Sequence, residues 1–183
     1  MSEQMIIEQC SPTLAGLKTA NLFPCRYDSK DTLWNEIRIF NRMLSHKGVR
    51  LLPIRAKDNF ALIYLYRPER LKSDISNELS SEILQMQGYS STDMNSCIVE
   101  LIRRFRDYSE FPHEIGLFLG YPPEDVKGFI EHRGNDCKCI GCWKVYGDEE
   151  HARKCFADYK KCTRIYKEQY EKGKTIERLT VAV

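Results

Sequence analysis

The alternation of apolar and polar positions predicts a mixed α+β chain. At the start, the apolar run Met5, Ile6, Ile7 leads into CSPTLAGLKTAN, where Pro12 and Gly16 interrupt the pattern. This stretch is expected to form a capped turn feeding the first strand, Leu22 to Tyr27. Its small hydroxyls, Gly16 and Lys18 also suit an anion-binding loop, because exposed backbone N–H groups attract phosphate or carboxylate. It is not a P-loop, since the spacing G-x-x-x-x-G-K-[ST] is absent. Ser29 is placed to cap a helix in which Leu33, Ile37, Phe40 and Leu44 share one face, and Gly48 suits the position beyond its end. Val49 to Arg55 reads as a strand that Pro53 pushes towards an edge or a bulge. After the turn residues Lys57, Asp58 and Asn59, Phe60 to Tyr66 is apolar on both faces and reads as a central, covered strand.

A helical insertion follows. Residues 67 to 88 read as helix in two pieces closing at Gly88, and a second helix spans about Thr92 to Tyr108, with Met94, Ile98, Leu101 and Phe105 on one stripe. Cys97 beside that stripe is expected to be a small core residue. The segment from His113 to Gly120 is apolar enough to be buried, yet carries two glycines that weaken a helix by about 1 kcal/mol each. Glycine there implies close approach of a backbone, a side chain or a ligand. Tyr121-Pro122-Pro123 breaks the chain, and Glu124 and Asp125 open a helix whose dipole favours acidic residues in its first turn. Trp143 to Tyr146 reads as a short strand. Asp148 is expected to cap a long helix reaching about Lys172, and Thr175 to Val183 reads as a final strand. The expectation is one domain over residues 1–183: a mixed sheet of about five strands, with a β-α-β-β start, a helical insertion and a β-α-β end, and helices packed on the sheet.

Composition narrows the class. A chain of 183 residues suits a single core that buries roughly 70% of the unfolded surface. The net charge of +2, from 28 basic and 26 acidic residues, argues against a nucleic-acid partner, which calls for a concentrated basic surface. Arg103, Arg104 and Arg106 read as a solvated helix face. The longest apolar runs fall short of the roughly 20 residues that span a membrane, and MSEQMIIEQC lacks the basic and apolar regions of a signal peptide. A cytoplasmic protein with no membrane partner is therefore expected, its eight cysteines reduced or metal-bound rather than paired in disulfides.

Candidate chemistry concentrates in residues 111–147, which hold six of the ten glycines, three of the seven prolines and three of the eight cysteines. Cys137, Cys139 and Cys142 form C-x-C-x-x-C, and His151 and Cys155 follow four apart on one helix face. Three thiolates with one of these would make a tetrahedral Cys₃His or Cys₄ site for zinc, and Cys₄ also suits an iron–sulfur cluster. Cys162, about two turns further on, is an alternative ligand or thiol partner. Redox-active thiols, their pKa lowered by Lys138 and Lys144, and thiols with no special role remain alternatives. His113 and Glu114 are candidate catalytic residues, His113 as a general base or ligand, although a buried histidine capping the segment is the plainer reading. HE alone is not the zincin motif. Glu114, Glu124 and Asp125 contain the makings of a carboxylate pair, against their plainer reading as helix-start residues. Trp143 and Tyr146, with Tyr121, Tyr159 and Tyr166, are candidates to line a pocket for a flat ligand, and Lys18 to bind its charge. Aromatics at such spacing equally form core.

The phrases FPHEIGLFLGYPPEDVKGFI and WKVYGDEEHARKCFADYKKC, with SPTLAGLKTANLF near the start and IERLTVA at the end, resemble the domain-of-unknown-function family 3793 of anaerobic Gram-positive bacteria across nearly the whole chain. The resemblance implies a stand-alone cytosolic protein of anaerobes, where oxygen-sensitive thiols and iron clusters persist. It supplies no activity, cofactor or catalytic residue. It also implies that PHEIG and WKVYG, more than the cysteines, are the family's signature, which favours a pocket around His113, Glu114 and Trp143. Three expectations follow: metal or thiol-based redox handling through the cysteine cluster, a small-molecule binder or enzyme at His113 and Glu114, or a non-catalytic interaction module.

Overall fold

The structure, a computed structural model, describes residues 1–107 and 111–182. In chain order the elements are α1 (Glu3–Leu14), β1 (Ala20–Arg26), α2 (Lys30–Leu44), a 3₁₀ turn (Ser45–Lys47), β2 (Arg50–Lys57), β3 (Phe60–Tyr66), α3 (Pro68–Ile75), α4 (Glu78–Met86), α5 (Met94–Asp107), α6 (Ile115–Phe118), α7 (Pro123–Glu131), β4 (Cys139–Ile140), β5 (Lys144–Val145), α8 (Glu149–Glu171) and α9 (Ile176–Leu179). They divide into two compact units. The first comprises Met1–Glu69 with the residues from Tyr159 onward, and the second Arg70–Asp158. Among the described residues no helix is long and apolar enough to cross a membrane.

In the first unit β3 is the central strand of an antiparallel sheet ordered β1-β3-β2. Ser29 accepts a hydrogen bond from the Thr32 N–H and so caps α2, whose Leu33, Ile37, Phe40 and Leu44 are buried in the core with Phe23, Leu51, Ile63 and Leu65. Pro53 lies on the edge strand at a register shift, which is where a residue without an N–H is tolerated. Asp58 and Asn59, with φ of 52° and 63°, form the two-residue turn whose left-handed backbone matches strand twist.

Two terminal expectations are corrected. Residues 3–14 form α1 rather than a turn, because Ile6, Ile7, Cys10 and Leu14 make a continuous buried stripe that outweighs Pro12 in the last turns. The expected final strand is the short helix α9. Thr175 caps it by accepting from the Arg178 N–H, and Ile176 and Leu179 are buried three residues apart, a helical spacing; Val183 lies outside the described residues, as does Tyr108 at the end of the predicted second helix. Among the described residues there is also no single mixed sheet of about five strands. The strands form the three-stranded sheet and a separate two-stranded antiparallel hairpin, β4-β5, because β5 pairs only with the four-residue-distant β4.

A buried cation ties the first unit together. Arg67 is 2% exposed. Its Nε donates to the Thr13 carbonyl at 2.6 Å, its Nη2 to Leu14 at 2.7 Å and Val181 at 2.8 Å, and its Nη1 to Lys47 at 3.1 Å. Thr13 and Leu14 end α1, where carbonyls lack helical partners and the dipole is negative. The guanidinium thus links α1, the turn after α2 and the C-terminal segment to the end of β3.

Replacing Arg67 with Met should destabilise the protein by about 3 kcal/mol or more, since buried carbonyls are left unpaired. Urea denaturation followed by far-UV circular dichroism checks this; an unchanged midpoint would contradict it.

Candidate functional site

The second unit is organised by one carboxylate. Pro122-Pro123 starts α7, with proline at its first position where no N–H is required. This places Asp125 in the first turn, but not on the surface: it is 2% exposed. Its Oδ2 accepts from Trp143 Nε1 at 2.7 Å, and its Oδ1 from the backbone N–H groups of Tyr146 at 2.7 Å and Gly147 at 2.6 Å. The helix dipole and three charge-assisted hydrogen bonds compensate the desolvated charge. Twenty residues of intervening chain are thereby closed into a loop, and the β4-β5 hairpin is fixed against α7.

Three glycines of residues 111–147 are explained by side chains at close quarters. A Cβ on Gly128 would lie 2.5 Å from the Tyr146 ring, one on Gly141 would overlap the Phe156 ring, and one on Gly116 would lie 2.7 Å from Val126. Tyr146 lies over α7, stacked on His132 with centroids 5.6 Å apart, and its hydroxyl donates to the Asn135 carbonyl at 2.9 Å. Trp143 is held between Tyr121, stacked at 4.9 Å, and Phe156, edge-on at 4.5 Å.

Beside this aromatic stack opens a cleft of about 340 Å³, lined chiefly by His113, Tyr121, Val126, Phe129, Trp143 and Lys144. His113 is exposed rather than buried as a cap, because its neighbours Pro112 and Glu114 take the inward positions; its ring lies against Phe129 with centroids 5.0 Å apart. Lys144 crosses the Phe129 ring at 5.8 Å and donates to the Gly134 carbonyl at 2.7 Å. Of the residues predicted from sequence, His113 and Trp143 therefore meet in one cleft. Tyr146 packs on Gly128 of α7 and on His132 instead, and Lys18 belongs to the first unit.

Glu114 serves a different purpose. It is 2% exposed and accepts from the Tyr89 hydroxyl at 3.0 Å and from Arg104 Nη1 at 3.3 Å. Arg104 also donates to Glu100 at 2.9 Å and packs over the Tyr89 ring at 4.5 Å. The expected solvated face of Arg103, Arg104 and Arg106 is thus corrected at Arg104, whose side chain is 15% exposed. Burial, and then Glu114, push the Tyr89 hydroxyl pKa well up. Glu114 and Asp125 have separate sets of partners, and Glu124 packs on Gly147, so these acids do not form a carboxylate pair. A smaller recess of about 170 Å³ borders Glu114, Arg104 and His113.

Among the described residues no three His, Cys, Asp or Glu side chains group so as to hold a metal ion. Within the predicted ligand set, Cys155 Sγ lies 3.5 Å from His151 Nε2. As arranged, these residues do not fit zinc or a cluster. Burial, with Asp158 next, raises the Cys155 pKa, and burial raises Cys97 and Cys162 to about 11.

Sequence reasoning named Asp125 but missed that it ties α7 to residues 143–147. An acidic residue in a first helical turn looks like any dipole-complementing residue, and no local signal distinguishes one that accepts hydrogen bonds from 20 residues away.

The chain belongs to the family described as protein of unknown function (DUF3793), whose model matches residues 6–180. Comparison with curated proteins and with solved structures found no match.

Asp125→Asn should cost about 3 kcal/mol, because the amide N–H₂ must face either the indole N–H or the two backbone N–H donors. Denaturation followed through Trp143 fluorescence in a Trp34→Phe background checks it, and a loss below 1 kcal/mol would contradict it. At pH 7.5 iodoacetamide should modify exposed Cys142 first and spare Cys10, Cys97 and Cys162 while the protein stays folded. Peptide mapping that finds Cys97 or Cys162 alkylated as fast as Cys142 would contradict this.

Proposed function

We propose that this member of the DUF3793 family is a cytoplasmic small-molecule-binding protein whose site is the cleft between α7 and the β4-β5 hairpin. The observation that carries the reading is a 340 Å³ concavity walled by Tyr121, Phe129 and Trp143, with polar groups only from a few side chains. Small-molecule sites have this character: apolar and aromatic walls, a volume of a few hundred Å³, and few orienting polar groups. The aromatic stack is locked by Asp125, so the wall is pre-formed and little ordering opposes binding. Binding rather than catalysis is the better-supported role. Glu114 and Asp125 are both committed to internal hydrogen bonds, which leaves His113 without an acidic partner among the described residues.

A neutral bicyclic probe, 1-naphthamide, should bind saturably, and Phe129→Ala should weaken it about tenfold through loss of one aromatic wall. Calorimetric titration of folded protein decides the matter: no saturable heat with naphthamide or its acid, or equal affinity in the variant, would contradict the reading.

A second reading, a metal- or thiol-handling role, is favoured by the His151–Cys155 pair alone. It requires Cys137, Cys139 and Cys142 to converge on that pair when metal binds. Near-stoichiometric zinc, or iron with sulfide, in protein purified without oxygen would support it. Metal-free, folded protein would remove it.

A further inference from the structure

Resting on the cleft reading, we propose that the ligand is a planar aromatic carboxylate whose acid group is taken by Lys144, with the His113 imidazole beside it. Size comes first. A dry protein cavity of about 150 Å³ accepts a single benzene ring, so about 340 Å³ accommodates a two-ring system with a short polar substituent. The parallel stacking of Tyr121 and Trp143, with planes 27° apart, continues the wall in the orientation that a flat ligand would adopt.

Charge follows from which hydrogen-bonding groups of the cleft are already used. The Asp125 carboxylate accepts from three N–H donors, and the Trp143 N–H is spent on it. The Tyr121 hydroxyl donates to the Cys142 carbonyl at 3.2 Å. Lys144 differs. Its ammonium has three N–H donors and, among the described residues, a hydrogen bond only to the Gly134 carbonyl. Neither acid bordering the region is placed to pair with it: Asp125 is closed on its N–H donors, and Glu114 on Tyr89 and Arg104. The side chains facing the cleft thus offer donors and a positive charge over an aromatic floor. A carboxylate on a flat ring complements both, and the low polarity of the walls strengthens the pairing.

The test compares 1-naphthoate with its neutral isostere 1-naphthamide by calorimetry on the full chain. Wild type should bind naphthoate at least tenfold more tightly. Lys144→Gln should reduce naphthoate to the level of naphthamide while leaving naphthamide within about twofold, and Lys144→Arg should keep the preference. Because Lys144 also holds the Gly134 carbonyl in the loop after α7, the wild-type comparison stands by itself: its naphthoate preference should shrink as NaCl is raised. Equal affinity, or tighter naphthamide, in wild type would overturn the anionic assignment while leaving the cleft as a binding site. Binding of neither probe would overturn the cleft reading and this inference with it.

Discussion

One buried carboxylate sets the geometry on which the second unit depends. Asp125 cannot remain desolvated without strong donors, and the three it uses come from Trp143, Tyr146 and Gly147. Because a lost partner would leave a buried charge uncompensated, the constraint acts on the chain rather than on one side chain. The hairpin must lie where its N–H groups meet α7. Once it does, Trp143 is held between Tyr121 and Phe156 and a cleft is left beside them. Gly128 and Gly141 have no side chain because Tyr146 and Phe156 occupy the space a Cβ would need. The cleft is thus a consequence of satisfying one acid.

The first unit uses the mirror-image device. Arg67 is a buried cation satisfied by backbone carbonyls, two of them at the negative end of α1, as Asp125 is a buried anion satisfied largely by N–H groups near a helix start. In each case a charge placed among backbone dipoles joins segments remote in sequence. Neither depends on an exposed ion pair, an interaction that salt screens and that contributes little.

Much of the first unit was legible because its signals are local. Ser29 and Gly48 bracket α2, Asp58 and Asn59 define the hairpin turn, and the two-faced apolar run of β3 marks a central strand. Local signals misled at the termini. At α1, Pro12 and Gly16 masked a helical stripe; at α9, an apolar tail resembled a strand but was capped by Thr175. In the second unit the decisive contacts are Asp125 with residues 143–147 and Glu114 with Tyr89 and Arg104. Spacing along one dimension cannot show which acids turn inward, so Glu114 looked reactive and Asp125 looked routine. His113 and Trp143, expected around one pocket with Glu114, both line the cleft, whereas Glu114 is hydrogen-bonded to Tyr89 and Arg104. Of the two glycines between His113 and Gly120, Gly116 did signal close approach, by the Val126 side chain.

The central claim is that the cleft beside Trp143 receives a small ligand. The Trp143 indole N–H reports on it directly, since it is hydrogen-bonded to Asp125 at 2.7 Å and its ring forms the wall, whereas Trp34 is 48% exposed on α2. A ¹H–¹⁵N spectrum titrated with 1-naphthoate should shift the Trp143 indole resonance saturably and leave that of Trp34 in place. A Trp143 resonance that does not move, or one that moves only together with Trp34, would contradict the account.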